Sequence, residues 1–155
     1  MDMIENMDEK YDGITTYKIG EVARHADVNK ETVRYYEKRE LIPKPDRRRS
    51  GYRIFTKRHI NQIRFIKRAQ QLGFTLSEIK ELLELRMDEN TTCSDIKSEA
   101  QKKYQHVEEK IEDLERIRKT LLDLIDSCAG EGPKVKCPIL EALEGDSKTG
   151  NELRK

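Results

Sequence analysis

The sequence predicts an all-α dominated fold: a winged helix-turn-helix domain, then one long antiparallel coiled-coil dimerisation helix, then a short C-terminal loop carrying thiols. Three observations carry this prediction. The first half holds short amphipathic segments joined by a tight turn and followed by an arginine-rich hairpin. Residues 16–72 contain sixteen Lys/Arg against six Asp/Glu, which leaves fifteen against twenty-four elsewhere. Finally, Cys93 and Cys128 bracket a charged helical stretch at a spacing of 35 residues, which is five heptads and puts both thiols on one seam of a supercoiled helix.

Hydrophobic residues make up 35% of the 155 and charged residues 39%, a balance poor for one compact core and ordinary for long helices. No run approaches the roughly 18–20 apolar residues of a membrane span, and no signal-peptide pattern is present. A cytoplasmic location is the expectation, with no membrane partner. Thiols stay reduced there, so three cysteines read as reactive or metal-binding groups before disulfides. The basic first half is the footprint of a polyanion partner. A merely solvated surface gives no reason for the two signs to segregate.

In chain order, residues 1–16 are acidic, lack apolar periodicity and read as a mobile tail. A domain over 17–86 follows. Its first helical pattern starts at Tyr17 and puts Ile19, Val22 and Ala23 on one face. Asn29 is a good N-cap for a second helix near 30–40, which turns Val33 and Tyr36 or Glu37 inward. Thr32, Arg34, Tyr35 and Lys38 point elsewhere. Pro43 and Pro45 end that helix, and Ser50-Gly51 marks a hairpin turn. Arg47, Arg48, Arg49 and Arg53 make the hairpin a wing able to lie along a phosphate backbone.

Thr56 starts a third helix, 57–72, with Ile60, Ile63, Ile66 and Ala69 inward and Gly73 as its stop. Thr75 and Glu78 match a capping box, and Phe74 with Ile79 a hydrophobic staple, for a fourth helix with Ile79, Leu82 and Leu83 on its core face. The dimerisation helix spans 91–128. Its seam runs through Ala100, Tyr104, Val107, Ile111, Leu114, Leu121, Ile125 and Cys128, interrupted at Arg118. A loop and short helix occupy 129–145, and 146–155 form a polar tail.

At about 1.5 Å rise per residue, Cys93 and Cys128 lie roughly 50 Å apart along one helix. Cys137 is near Cys128 only, across the loop 129–136. If all three thiols meet, they do so across two chains, and an antiparallel pairing brings Cys93 of one beside Cys128 and Cys137 of the other.

The stretches Tyr17-Lys18-Ile19-Gly20-Glu21-Val22-Ala23, Thr32-Val33-Arg34-Tyr35-Tyr36-Glu37 and Leu72-Gly73-Phe74-Thr75-Leu76 resemble the MerR family of bacterial transcriptional regulators, with Arg34-Tyr35-Tyr36-Glu37 followed by Leu41 as the most specific signature. The cysteine spacing and Cys137-Pro138-Ile139-Leu140 are similar to the mercury-responsive branch of that family. The resemblance implies a homodimer on a pseudo-palindromic operator in double-stranded promoter DNA. Effector binding would bend and untwist that DNA so that RNA polymerase can open it. It also implies that Thr32, Arg34 and Tyr35 enter the major groove, with Lys38 on the same exposed side, and that Arg48 and Arg53 hold the backbone.

The implied metal ligands are Cys93, Cys128 and Cys137, taking one Hg(II) per site from both subunits, two sites per dimer. Three soft thiolates without an evident fourth ligand suit Hg(II), whereas structural zinc takes four ligands. The same architecture responding to zinc, cadmium or lead is the alternative, and a thiol redox sensor a further one. No cysteine has a histidine placed to act as its base, so an enzyme is not expected.

Overall fold

The computed structural model describes residues 10–145; the remaining parts of the two expected tails, 1–9 and 146–155, lie outside the described residues. The chain divides between Glu99 and Ala100 into two units.

In the first unit, α1 (Ile19–Ala26) buries Val22, Ala23 and Ala26. Glu21 accepts the Lys18 N–H at its start (2.7 Å), and Asp27 takes the left-handed conformation at its end, φ 54°. The Val28 N–H then bonds to the Ala23 carbonyl (2.9 Å), closing the turn that leads into α2 (Lys30–Lys38). Asn29 caps α2 by accepting from both the Thr32 N–H (2.7 Å) and the Thr32 hydroxyl (2.8 Å). Of the two alternatives for the inward face of α2, Tyr36 is the buried one, and its hydroxyl donates to Gln70 (2.8 Å).

The wing is β2 (Asp46–Arg47) paired antiparallel with β3 (Arg53–Thr56), Asp46 opposite Ile54 and Arg47 opposite Arg53. A third strand, β1 (Thr16–Tyr17), joins the other edge of β3 and gives the order β1-β3-β2. Sequence reasoning put Tyr17 in a helix and residues 10–16 in a tail. The structure differs because a two-residue strand has no periodicity of its own and exists only through pairing with Phe55 and Thr56.

Helix α3 (Lys57–Gln71) lays Ile60, Ile63, Ile66 and Ala69 into the core and stops at Gly73, φ 85°. His59 pins its start: Nδ1 accepts the Thr56 N–H (3.1 Å), while Nε2 donates to the Pro43 carbonyl (3.1 Å). Helix α4 (Leu76–Met87) is capped reciprocally by Thr75 and Glu78 and buries Ile79 and Leu83, with Leu82 half-buried. These side chains, with Phe55 and Leu41, form one continuous core. Each fully buried Ile, Leu, Val or Phe stabilises it by roughly 1.5–3 kcal/mol.

The long helix α5 (Cys93–Ser127) begins at a second reciprocal cap, in which Asp95 accepts the Thr92 N–H (2.7 Å) and its own N–H reaches the Thr92 hydroxyl (3.3 Å). Within the second unit its seam is open to solvent: Tyr104, Leu114, Leu121 and Ile125 are each more than half exposed. A one-turn 3-10 segment (Lys134–Lys136) and α6 (Pro138–Glu144) follow. Among the described residues, no helix is long and apolar enough to cross a membrane.

Candidate nucleic-acid interface and thiol site

Packing leaves one side of α2 and the wing turn exposed. On α2, Arg34 is exposed and ion-paired with Glu31 one turn earlier. The exposed Tyr35 accepts a hydrogen bond from Arg39 Nε (3.2 Å), whose guanidinium lies 5.4 Å from its ring centre. Lys38 is exposed in the last turn. Thr32 spends its hydroxyl proton on the Asn29 cap, so only lone pairs remain to it.

At the wing, Arg48 is exposed on a turn closed by its own N–H to the Tyr52 carbonyl (2.9 Å) and by the Gly51 N–H to its carbonyl (2.8 Å). Gly51 sits at φ 83°, a conformation that a side chain would strain. Arg47 and Arg49 are exposed beside it, as is Tyr52, the most exposed aromatic of the wing at 71%. Tyr52 was not singled out from the sequence, although its place next to Gly51 was a usable signal.

Arg53 also has a partner within the fold. It is partly buried and its Nε donates to both Glu37 oxygens, at 2.9 and 3.2 Å, so it fastens the wing to α2. Two further cations bond to the chain at the end of α1. Arg64 donates from Nε and a terminal nitrogen to the His25 carbonyl (3.0 and 2.6 Å), and Lys67 to the Asp27 carbonyl (2.6 Å) and carboxylate (2.5 Å). Both cations meet the carboxyl end of α1, where the helix dipole favours them, and they set the turn that aims α2. The Lys67 ammonium holds the Asp27 carboxyl below its ordinary value.

The thiols fall into two groups. Cys93 is the first residue of α5 and exposed. Cys128 directly follows α5, and Gly130 and Gly132, at φ 78° and 112°, turn the chain back so that Cys137 caps α6. The two half-buried thiols then lie near one another, close enough for Cys128 to act on the Cys137 thiol. No full capping bond closes on the Cys137 sulfur, yet the Leu140 and Ile139 amides face it. They hold its thiol below the ordinary value, with Cys128 adding to this, against burial and the Glu141 carboxylate, which push it up. Among the described residues of a single chain, no three cysteine, histidine or carboxylate side chains converge as a metal site. Cys128 and Cys137 belong to the second unit and lie near one another there, while Cys93 belongs to the first.

Comparison with known proteins identifies the family. Residues 17–86 match the family described as MerR HTH family regulatory protein, and residues 60–124 match the one described as MerR, DNA binding. A mercuric resistance operon regulatory protein of Bacillus cereus is 42% identical over 127 residues, covering 82% of this chain and 96% of that protein. The HTH-type transcriptional regulator ZntR of Escherichia coli K12 is also 42% identical, over 130 residues, covering 83% and 92%. Among solved structures, PbrR691 from Ralstonia metallidurans CH34 in complex with lead(II) matches with a TM-score of 0.74 at 31% identity, covering 82% of this chain and 98% of that one. MerR from Bacillus megaterium MB1 in complex with mercury(II) matches with a TM-score of 0.65 at 41% identity, covering 83% and 99%. With both family matches and relatives 42% identical over more than four-fifths of its length, the chain belongs to the MerR family of helix-turn-helix transcription regulators, which bind DNA and are not enzymes.

Proposed function

We propose that this chain is a mercury(II)-responsive transcriptional regulator that binds promoter DNA as a homodimer in the cytoplasm and activates a metal-resistance operon. The observation that carries the reading is the placement of the thiols. Cys128 and Cys137 lie near one another after the last residue of a 35-residue helix that Cys93 opens and whose apolar seam is exposed in the single chain. An antiparallel partner would cover that seam and present its Cys93 to the Cys128–Cys137 pair. Two relatives about two-fifths identical carry mercury in their descriptions, one as an operon regulator and one as a metal complex.

Three soft thiolate donors fit a soft ion. Bound Hg(II) would supply a link between the helix start of one subunit and the loop of the other. Thr32, Arg34, Tyr35 and Lys38 would face the major groove, and Arg48 and Arg53 the phosphates, with Arg53 also holding the wing in place through Glu37. Switching requires that the two states of the dimer differ in metal affinity. RNA polymerase at the re-shaped promoter is the implied third partner.

Lead(II) is the second reading, favoured by the lead(II) complex whose TM-score is 0.74. Titrating the reduced protein with Hg(II), Pb(II), Zn(II) and Cd(II) against excess small-molecule thiol, while following thiolate–metal ultraviolet absorption, separates the two. Saturation by Hg(II) at two ions per dimer, with Hg(II) also triggering transcription, is the expected result. Transcription triggered by Pb(II), Zn(II) or Cd(II) but not by Hg(II) overturns the choice of ion.

A further inference from the structure

We propose that Lys10 and Tyr11 are positioning residues for the wing: by occupying the Asp46 carboxylate they keep the arginines of the wing turn available to DNA phosphates. The inference rests on the DNA-binding reading and adds two residues that precede the family match, which begins at residue 17.

Asp46 opens β2 and stands one residue before Arg47, Arg48 and Arg49. It is the only carboxylate between residues 41 and 55. Its Oδ2 receives the Lys10 ammonium at 2.6 Å and the Tyr11 hydroxyl at 2.5 Å. The Lys10 bond first, then the Tyr11 bond, holds the carboxyl below its ordinary value, so it is ionised at neutral pH. An ionised carboxylate without those partners has arginines as its nearest cations in sequence. An arginine drawn onto it is lost to a phosphate, and the charge left over repels the DNA.

The segment is built to hold this grip. The Ile14 N–H bonds to the Tyr11 carbonyl (3.0 Å) in a turn with Gly13 at φ 77°, and Thr16 and Tyr17 then pair with the far edge of β3. The chain thus reaches from the β2 side of the sheet to its opposite edge. β2 itself has only two residues and two register pairs, so the Asp46 bonds add to the turn hydrogen bonds and the Arg53–Glu37 pair that hold the wing.

Wing–phosphate contacts are independent of sequence, so a fluorescent random-sequence duplex is a sufficient probe. Affinity would be measured over a range of salt for the wild type, Lys10→Ala/Tyr11→Phe, Asp46→Asn and the triple variant. The double variant is expected to bind about 3- to 10-fold more weakly, with a salt slope shallower by about one phosphate. Adding Asp46→Asn should restore both, because no charge remains to capture an arginine. Unchanged binding in the double variant overturns the proposal. So does a loss that Asp46→Asn does not relieve, which would make Lys10 a direct phosphate contact or a mere fold support. A wild-type protein that binds no duplex removes the DNA-binding reading and this role within it, whereas binding without any difference among the variants removes this role alone.

Discussion

The two units use their apolar residues in opposite ways. In the first, Val22, Val33, Phe55, Ile63, Ile66 and Ile79 have essentially no exposed surface, and no buried side-chain polar atom among the described residues lacks a hydrogen-bond partner. In the second, the apolar residues are as regularly spaced but face solvent, Leu121 at 53% and Ile125 at 60%. A domain core and a coiled-coil seam obey the same burial rule, but the first is satisfied within one chain and the second only between two. The contrast teaches where each unit draws its stability: the first from its own packing, the long helix, in the proposed dimer, from association.

That contrast can be broken or sharpened by substitution. The largest effect is expected for Leu121→Glu with Ile125→Glu, which puts four carboxylates into the seam of one dimer. Sedimentation should show a monomer, association weakened by roughly 4 kcal/mol or more, with the circular dichroism of the first unit retained. A dimer that persists would place the interface elsewhere.

Ile63→Ala acts on the other side of the comparison. It empties a fully buried position and should lower the stability of the first unit by about 2–5 kcal/mol in urea titration, leaving the self-association of the long helix in place. Loss of both together would show that the units are not energetically separate.

Acid should also distinguish them. Burial, the largest influence on His59, holds its pKa below the ordinary 6.5, against the bond to Pro43. The unfolded chain therefore takes up this proton more readily than the folded one. The stability contributed by neutral His59 is complete above about 6.5 and is lost as pH falls below that value. The urea midpoint of the first unit should drop between pH 7 and 5, and His59→Gln should flatten that dependence. An equally steep profile in the variant would assign it to another group. The smallest effect is expected of Asn29→Ala, which removes the α2 cap and should cost about 1 kcal/mol by the same titration.

Local rules explain what could be read from the sequence. The Thr75–Glu78 box, the Gly73 stop and the Asn29 cap each depend on residues at most four apart, and all three form as expected. The inward face of α3 is likewise carried by spacing alone. The 35-residue step from Cys93 to Cys128 matches a continuous helix from Cys93 to Ser127 because heptad spacing is a property of the helix itself.

What escaped were interactions between distant stretches. β1 exists through pairing with β3, and Lys10 meets Asp46 across 36 positions. Counting cations also could not single out Arg53, Arg64 and Lys67, whose side chains bond to Glu37, His25 and Asp27. A charge surplus announces a polyanion partner but does not say which cations are spent inside the fold. The nearness of Cys137 to Cys128, by contrast, was legible, since two glycines and a proline force the chain to turn there.

The shared thiol site is tested most directly by a mixed dimer. Chains carrying Cys93→Ala and Cys128→Ala are co-expressed, the heterodimer is isolated, and Hg(II) is titrated while thiolate–metal ultraviolet absorption is followed. A site built across subunits leaves one complete set of three cysteines in the mixed dimer and none in either mutant homodimer. One tightly bound Hg(II) per mixed dimer, absent from both homodimers, is the predicted result. A mixed dimer that binds no better than the homodimers would contradict the cross-subunit site and the antiparallel pairing on which it depends.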